Sequence, residues 1–279
     1  MDSRRNFLRG MARAATPARP LEAQRRSDPA QPAVTPDEAS SPPDRYAAAV
    51  AAPAWGAARQ AEVARAEVLV VGAGALAGPV LSHLAGAGVG RLGVVDDAVV
   101  ALSDLRADGL HFTPDVGVAK AHSAAAKLGF LNPDIVVEPY QVHLDAENAE
   151  GLLAGQKLVV DCTNSEPTNA LVAAAGHALG VGVVTAAAGS RRGWVLCAGP
   201  ELRGCPDCVR ADTPLHGSWV PGPLAGVLGA LAAGEALARI GPAAADAATG
   251  KLIRVDVSVP ELDAVPWHPR PDCPHHGDR

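Results

Sequence analysis

The chain has 279 residues, 48% of them hydrophobic and only 3% aromatic, and a formal net charge of −6. That length and apolar content support one large α/β domain with a core of Ala, Val and Leu. The acidic balance, with no basic stripe beyond the N-terminal region, excludes a general nucleic-acid binder, and no stretch reads as a membrane span. The most apolar one, residues 222–240, carries Glu235 and Arg239.

Residues 1–43 are rich in Pro, Ser, Ala, Arg and Asp without periodicity and read as a disordered N-terminal tail, with 44–279 as the folded domain. Ser3-Arg4-Arg5-Asn6-Phe7-Leu8-Arg9 has the form of a twin-arginine export signal. Arg13, Pro17, Arg19 and Pro20 interrupt the stretch after it, so no continuous apolar segment forms. An Ala-rich stretch over 45–66 predicts helix broken near Pro53 and Gly56. Alternation then begins. Strands are predicted at 67–71, 91–95, 135–140, 157–161, 181–186 and 194–198, and helices at 79–87, 118–130, 146–154 and 167–179. A long helix over 222–240 and a strand over 251–258 complete the domain. Strands alternating with helices of this length imply a doubly wound, Rossmann-like parallel sheet.

The turn Gly72-Ala73-Gly74-Ala75-Leu76-Ala77-Gly78 follows the first strand and opens the first helix of that sheet. Gly72 and Gly74 let backbone approach a phosphate, while amides at the helix start supply donors and positive dipole. Asp96, at the end of the next strand, stands where a carboxylate accepts from ribose hydroxyls. These residues alone admit NAD, FAD or ATP. Cys205-Pro-Asp-Cys208 and Cys273-Pro-His275-His276 offer two chelating pairs, the donor set of a closed tetrahedral zinc site, with His276 preferred over His275 because its spacing copies the first pair. The later half therefore reads as a zinc-clipped extension. Cys162 and Cys197 fall in or beside predicted strands as small buried hydrophobes. Five cysteines in this arrangement fit a reducing, cytoplasmic compartment better than a disulfide framework. His111, His143 and His177 have no partners at ligand spacing.

From Arg45-Tyr46 to His276, the segments Leu92-Gly-Val-Val-Asp96-Asp97, Ser103-Asp104-Leu105, Val116-Gly117-Val-Ala-Lys120, Leu131-Asn132-Pro133 and Val159-Val-Asp161-Cys162-Thr163 resemble the ThiF/MoeB/HesA family, relatives of ubiquitin-activating enzymes. The resemblance implies an ATP-dependent adenylyltransferase that activates the C-terminal carboxylate of a ubiquitin-like sulfur carrier or a peptide, working with Mg2+ and typically as a homodimer. It places Asp96 at the ribose aspartate and Lys120 at the phosphate-contacting lysine. Asp104 stands where the family has asparagine. Ala107 replaces the phosphate-gripping arginine, with Arg106 one residue earlier as a candidate substitute. Asn164 replaces the magnesium aspartate, keeping a carbonyl oxygen but no charge. Ala48 falls where a partner subunit's arginine is expected, and Ala75 and Ala77 where glycines are usual. The loop over 211–223 holds no cysteine for a thioester relay. The expected catalytic residues are thus Lys120, Asn164 and Arg106, and a degenerate member that binds a protein or peptide tail without chemistry is the alternative.

Overall fold

The computed structural model describes residues 45–107, 109–198, 205–216, 219–240, 250–259, 261–268 and 270. The tail predicted over 1–43 and the second zinc pair, Cys273 and His276, lie outside these residues.

One sheet of eight strands runs in the order β3-β2-β1-β4-β5-β6-β7-β8. Its first five strands are parallel: β1 (Glu67–Val71), β2 (Arg91–Val95), β3 (Val136–Tyr140), β4 (Leu158–Asp161) and β5 (Gly182–Ala188). Central strands covered by helices on both faces need apolar side chains at every position, which is why β1 and β4 read as unbroken Val/Leu runs and are buried from Val68 to Val71 and from Leu158 to Asp161. Three antiparallel strands complete the sheet: β6 (Arg192–Ala198), β7 (Lys251–Asp256) and β8 (Glu261–Pro266). The sheet is therefore mixed, a Rossmann-like parallel half extended by a meander. Strands β1 to β3 build outward in one direction and β4 to β5 in the other, so the order reverses between β1 and β4. Ligand clefts of open α/β sheets form outside the strand C-termini at such a point.

Predicted and observed elements agree closely within the parallel half. Two departures lie in the other half. A short helix, α7 (Pro206–Asp212), is capped by Cys205 and carries Cys208, and the edge strand β8, Glu-Leu-Asp-Ala-Val-Pro, has two acidic residues and a proline that make it read as loop.

The N-terminal helices α1 (Ala47–Ala51) and α2 (Gly56–Arg65) are tied to the domain through Asn132, which is fully buried. Its Nδ2 donates to the Tyr46 hydroxyl at 2.7 Å and to the Ala85 carbonyl at 2.7 Å. Asn132 caps α4 (Lys120–Leu131), and Ala85 lies in α3 (Ala77–Ala87), so this one amide joins three helices.

Helix α8 (Gly222–Ala238) is too apolar and rich in small residues to be left wet, a composition that fits cover by a second subunit. Instead, Leu224, Ala225, Leu228, Ala232 and Ala236 are buried in the chain's own core, between α3 and strands β5 and β6. Close approach explains the small residues: a Cβ on Gly229 would stand 2.6 Å from the Leu76 carbonyl oxygen. Fully burying Leu224 and Leu228 is worth about 1.5–3 kcal/mol each. Helices α5 (Ala149–Leu153) and α6 (Glu166–Leu179) cover the opposite face of the sheet.

Candidate functional site at the strand C-termini

A cleft of about 430 Å³ opens at the reversal point, where the C-terminal ends of β1, β2 and β4 meet. Gly72, Gly74, Ala75 and Asp96 line it from one side, and Asp104, Lys120 and Asn164 from the others. The volume lies within the usual range for small-molecule sites.

The glycine turn is held on three sides. Gly72 adopts φ +94°, and its amide donates to the Val95 carbonyl at 2.7 Å. A Cβ there would sit 3.1 Å from the Cys162 carbonyl carbon and 3.2 Å from the Thr163 nitrogen, so both the backbone angle and the packing require glycine. Space above Gly74 is open, as a backbone that receives a ligand needs. Asp96 fixes the next residue: its Oδ2 accepts from the Ala73 amide at 2.8 Å and its Oδ1 from the Ala98 amide at 2.9 Å. Each oxygen keeps a lone pair for a further donor.

The third side is His111, 2% exposed, whose Nε2 lies 2.8 Å from the Ala73 carbonyl and whose Nδ1 lies 2.9 Å from Ser123 Oγ. A carbonyl only accepts, so Nε2 carries the proton and Nδ1 accepts from the serine hydroxyl. Ser123 Oγ in turn accepts from Lys127 Nζ at 2.9 Å, and Lys127 pairs with Asp115 at 2.6 Å. The polarity runs in one direction from cation to backbone carbonyl.

Across the cleft, Lys120 Nζ pairs with Asp104 Oδ2 at 3.0 Å, and both side chains are largely covered. Burial alone would raise the Asp104 carboxyl, but the Ala101 amide and the Lys120 ammonium hold it below the usual carboxylate range. Asp97 lies at the rim with His143 Nδ1 3.1 Å from its Oδ2, next to Val142 and Leu144, which also line the cleft.

The floor is the turn after β4. Burial raises the Asp161 carboxyl, although Oδ1 accepts from the Thr163 amide at 3.0 Å and hydroxyl at 2.8 Å and Oδ2 from Asn169 Nδ2 at 2.7 Å. Asn169 Oδ1 accepts from Arg210 at 2.7 Å, which joins α6 to α7.

Two predicted residues fall elsewhere. Gly78 is buried in the first turn of α3, where its amide donates to the Gly74 carbonyl at 3.0 Å, so it supports the turn without lining the cleft. Arg106 is not at the cleft wall; its guanidinium donates to the Val220 carbonyl at 3.2 Å and lies over the Trp219 ring at 5.6 Å. Arg192 also lies away from the cleft and pairs with Asp256 at 2.5 Å on the meander. Cys205 and Cys208 are buried on α7, and among the described residues no group of three or more His, Cys, Asp or Glu could hold a metal ion. Sequence reasoning missed His111, His143 and Asp97 as parts of the site. Nothing local marked them, since their partners are backbone or residues remote in sequence.

Because the Asp104 carboxyl titrates below its ordinary value, its ion pair contributes stability above the unfolded pKa and loses it as pH falls through the folded one. Asp104→Asn should therefore destabilise the protein most near pH 7, with the deficit shrinking toward about pH 3, below the ordinary aspartate pKa. Denaturant midpoints of both proteins across that range check this; a deficit that does not vary with pH would contradict it.

The ThiF family description matches residues 46–275. The chain is 34% identical to SAMP-activating enzyme E1 of Haloferax volcanii over 242 residues, 84% of this chain and 89% of that protein. It is 37% identical to sulfur carrier protein adenylyltransferase of Thermus thermophilus over 247 residues, 84% of this chain and 91% of the relative. With adenylyltransferase and sulfurtransferase UBA4 of Saccharomyces cerevisiae the identity is 38% over 191 residues, 65% of this chain but only 43% of that longer protein. Among solved structures, E. coli MccB with ATP superposes with a TM-score of 0.66 at 18% identity, over 77% of this chain and 68% of MccB, a likeness of fold. With a family description spanning almost the whole described domain and relatives matched along most of their own length, the chain belongs to the ThiF family.

Proposed function

We propose that the chain adenylates the C-terminal carboxylate of a ubiquitin-like sulfur carrier. The observation that carries this is the convergence of the glycine turn, Asp96 and Lys120 in one cleft at the sheet's reversal point. Of two relatives matched along about nine-tenths of their length, one is named as a SAMP-activating enzyme and the other as a sulfur carrier protein adenylyltransferase. ATP supplies the α-phosphorus that the carrier carboxylate attacks, with an acyl-adenylate formed and pyrophosphate released. The open backbone at Gly74 and the start of α3 receive phosphate, Asp96 accepts from ribose hydroxyls, and Lys120 brings a cation to the wall where negative charge develops. Asp104 orients that ammonium through their 3.0 Å contact, leaving other protons on Nζ for phosphate oxygens.

Mg2+ accompanies ATP in this reading, but the described residues do not offer the family's ligand for it. The Asn164 carboxamide, which stands at that position, is committed to backbone through both of its polar atoms. No step is assigned to the metal.

We also propose that a tail over 1–43 precedes the catalytic domain, that the protein works in the cytoplasm, and that Cys205, Cys208, Cys273 and His276 hold one Zn2+. Cys162 and Cys197 are buried and form no disulfide, which fits a reducing compartment. The Cys205 and Cys208 thiols pack in one buried cluster with Trp267, and six residues of chain can span about 20 Å, enough to bring Cys273 to the pair. A homodimer is supported by the exposed apolar residues Val99, Leu102, Phe112, Val116 and Val118 around the lysine wall.

Lys120→Ala should lower carrier-dependent pyrophosphate exchange by about 10²- to 10³-fold, and Asp96→Ala should weaken ATP binding by about tenfold or more. Calorimetry showing no adenine nucleotide binding by the unmodified protein would sink this assignment, and binding without exchange for any carrier would leave a recognition module. Metal analysis should return about one zinc per chain, lost in Cys205→Ser with Cys273→Ser; full retention would refute the site. Light scattering should give twice the chain mass, and a concentration-independent monomer would exclude the dimer.

A further inference from the structure

Among the described residues, Asn164 is the one non-glycine residue with positive φ, at +55°. Asparagine tolerates this left-handed conformation better than most residues. Its side chain explains why the conformation is held. Nδ2 donates to the Ala188 carbonyl at 2.9 Å, and Oδ1 accepts from the Ala188 amide at 2.9 Å. The ladder between β4 and β5 ends at Asp161 and Thr185, so the carboxamide supplies one more rung beyond the last paired residues. Only a group with one donor and one acceptor side by side completes it. A carboxylate would accept from the Ala188 amide but face the Ala188 carbonyl with like partial charge.

What this rung fixes is the floor of the cleft. Residues 162–163 are pressed between the rung and Gly72, whose Cβ position is 3.1 Å from Cys162 backbone. Any drift of the turn moves the phosphate-binding backbone with it. The geometry points to Asn164 as a positioning residue that locks the β4–α6 turn to β5, and not as a ligand of the reaction's divalent cation. An aspartate at 164 is then not a restored metal ligand but a broken lock. The inference rests on the cleft being the nucleotide site.

The test compares unmodified protein, Asn164→Asp and Asn164→Gly, using ATP with and without Mg2+ by calorimetry and thermal melting at pH 7 and about pH 4, near the ordinary carboxyl pKa. Glycine keeps the +55° backbone accessible while removing both bonds. Both variants should bind ATP about tenfold more weakly at pH 7, with the ratio of affinities with and without Mg2+ unchanged. The Asn164→Asp deficit should shrink near pH 4, where a neutral carboxyl again donates to the Ala188 carbonyl, and the Asn164→Gly deficit should not. The other ionisable groups around the cleft and its floor, Asp96, Asp97, Asp104, Lys120, His143, Asp161, Glu166, Arg210 and His216, are common to all three proteins and cancel in the comparison. Tighter Mg-ATP binding by Asn164→Asp, or loss of the Mg2+ effect in Asn164→Gly, would overturn the lock. If the unmodified protein binds no adenine nucleotide, the nucleotide reading fails by itself. The melts then decide the lock: both variants melting lower at pH 7, with recovery of Asn164→Asp alone near pH 4, upholds it, and unchanged melting rejects it.

Discussion

The contact between Gly72 and the backbone of Cys162 and Thr163 is the constraint on which the rest of the site depends. Two parallel strands whose connections leave in opposite directions would normally splay where they end. Here they stay within van der Waals reach because one of them ends in a residue with no side chain. That approach brings the carboxylate of Asp96, the carboxamide of Asn164 and the ammonium of Lys120 to the same small volume. Each is then fixed by backbone or by a largely covered partner, so the site is assembled before any ligand arrives. Preorganisation of this kind spares the reorganisation that water would otherwise require as charge develops.

The cation of the cleft is paired locally, Lys120 with Asp104, and behind the glycine turn Lys127 pairs with Asp115 and joins a hydrogen-bond chain through Ser123 and His111 to the Ala73 carbonyl. A net negative chain can thus host an anionic ligand without a broad basic surface. The attraction is confined to a few donors at short range, and exposed charges farther away are screened.

How much of this was legible in the sequence depended on whether a residue's role is local. The strands of the parallel half, the glycine turn and Asp96 were readable because periodicity, chain punctuation and strand-end position carry their own meaning. Lys120, Asp104 and Asn164 emerged only through the family resemblance. The lock made by Asn164 could not be read, because its partner Ala188 lies 24 residues away and contributes only backbone. Arg106 looked like a substitute cation from its position, yet its guanidinium is spent on Val220 and Trp219. Helix α8 was apolar enough to suggest a partner, but sequence hydrophobicity does not say which side of the chain's own fold supplies the cover. Edge strand β8 was invisible because edges carry charged, alternating side chains that resemble loop.

Arg210 couples the two halves of the sheet in unfolding. It sits on the same short helix as Cys208, reaches Asn169 at 2.7 Å, and through Asn169 touches Asp161 at the end of β4. The antiparallel meander and the parallel half are therefore wired by buried polar bonds as well as by the sheet. A buried polar chain cannot be half broken without stranding a charge or an amide. Local opening of α7 would strip Asn169 of its guanidinium and destabilise the β4 terminus, so α7 and the end of β4 are expected to lose hydrogen-exchange protection together.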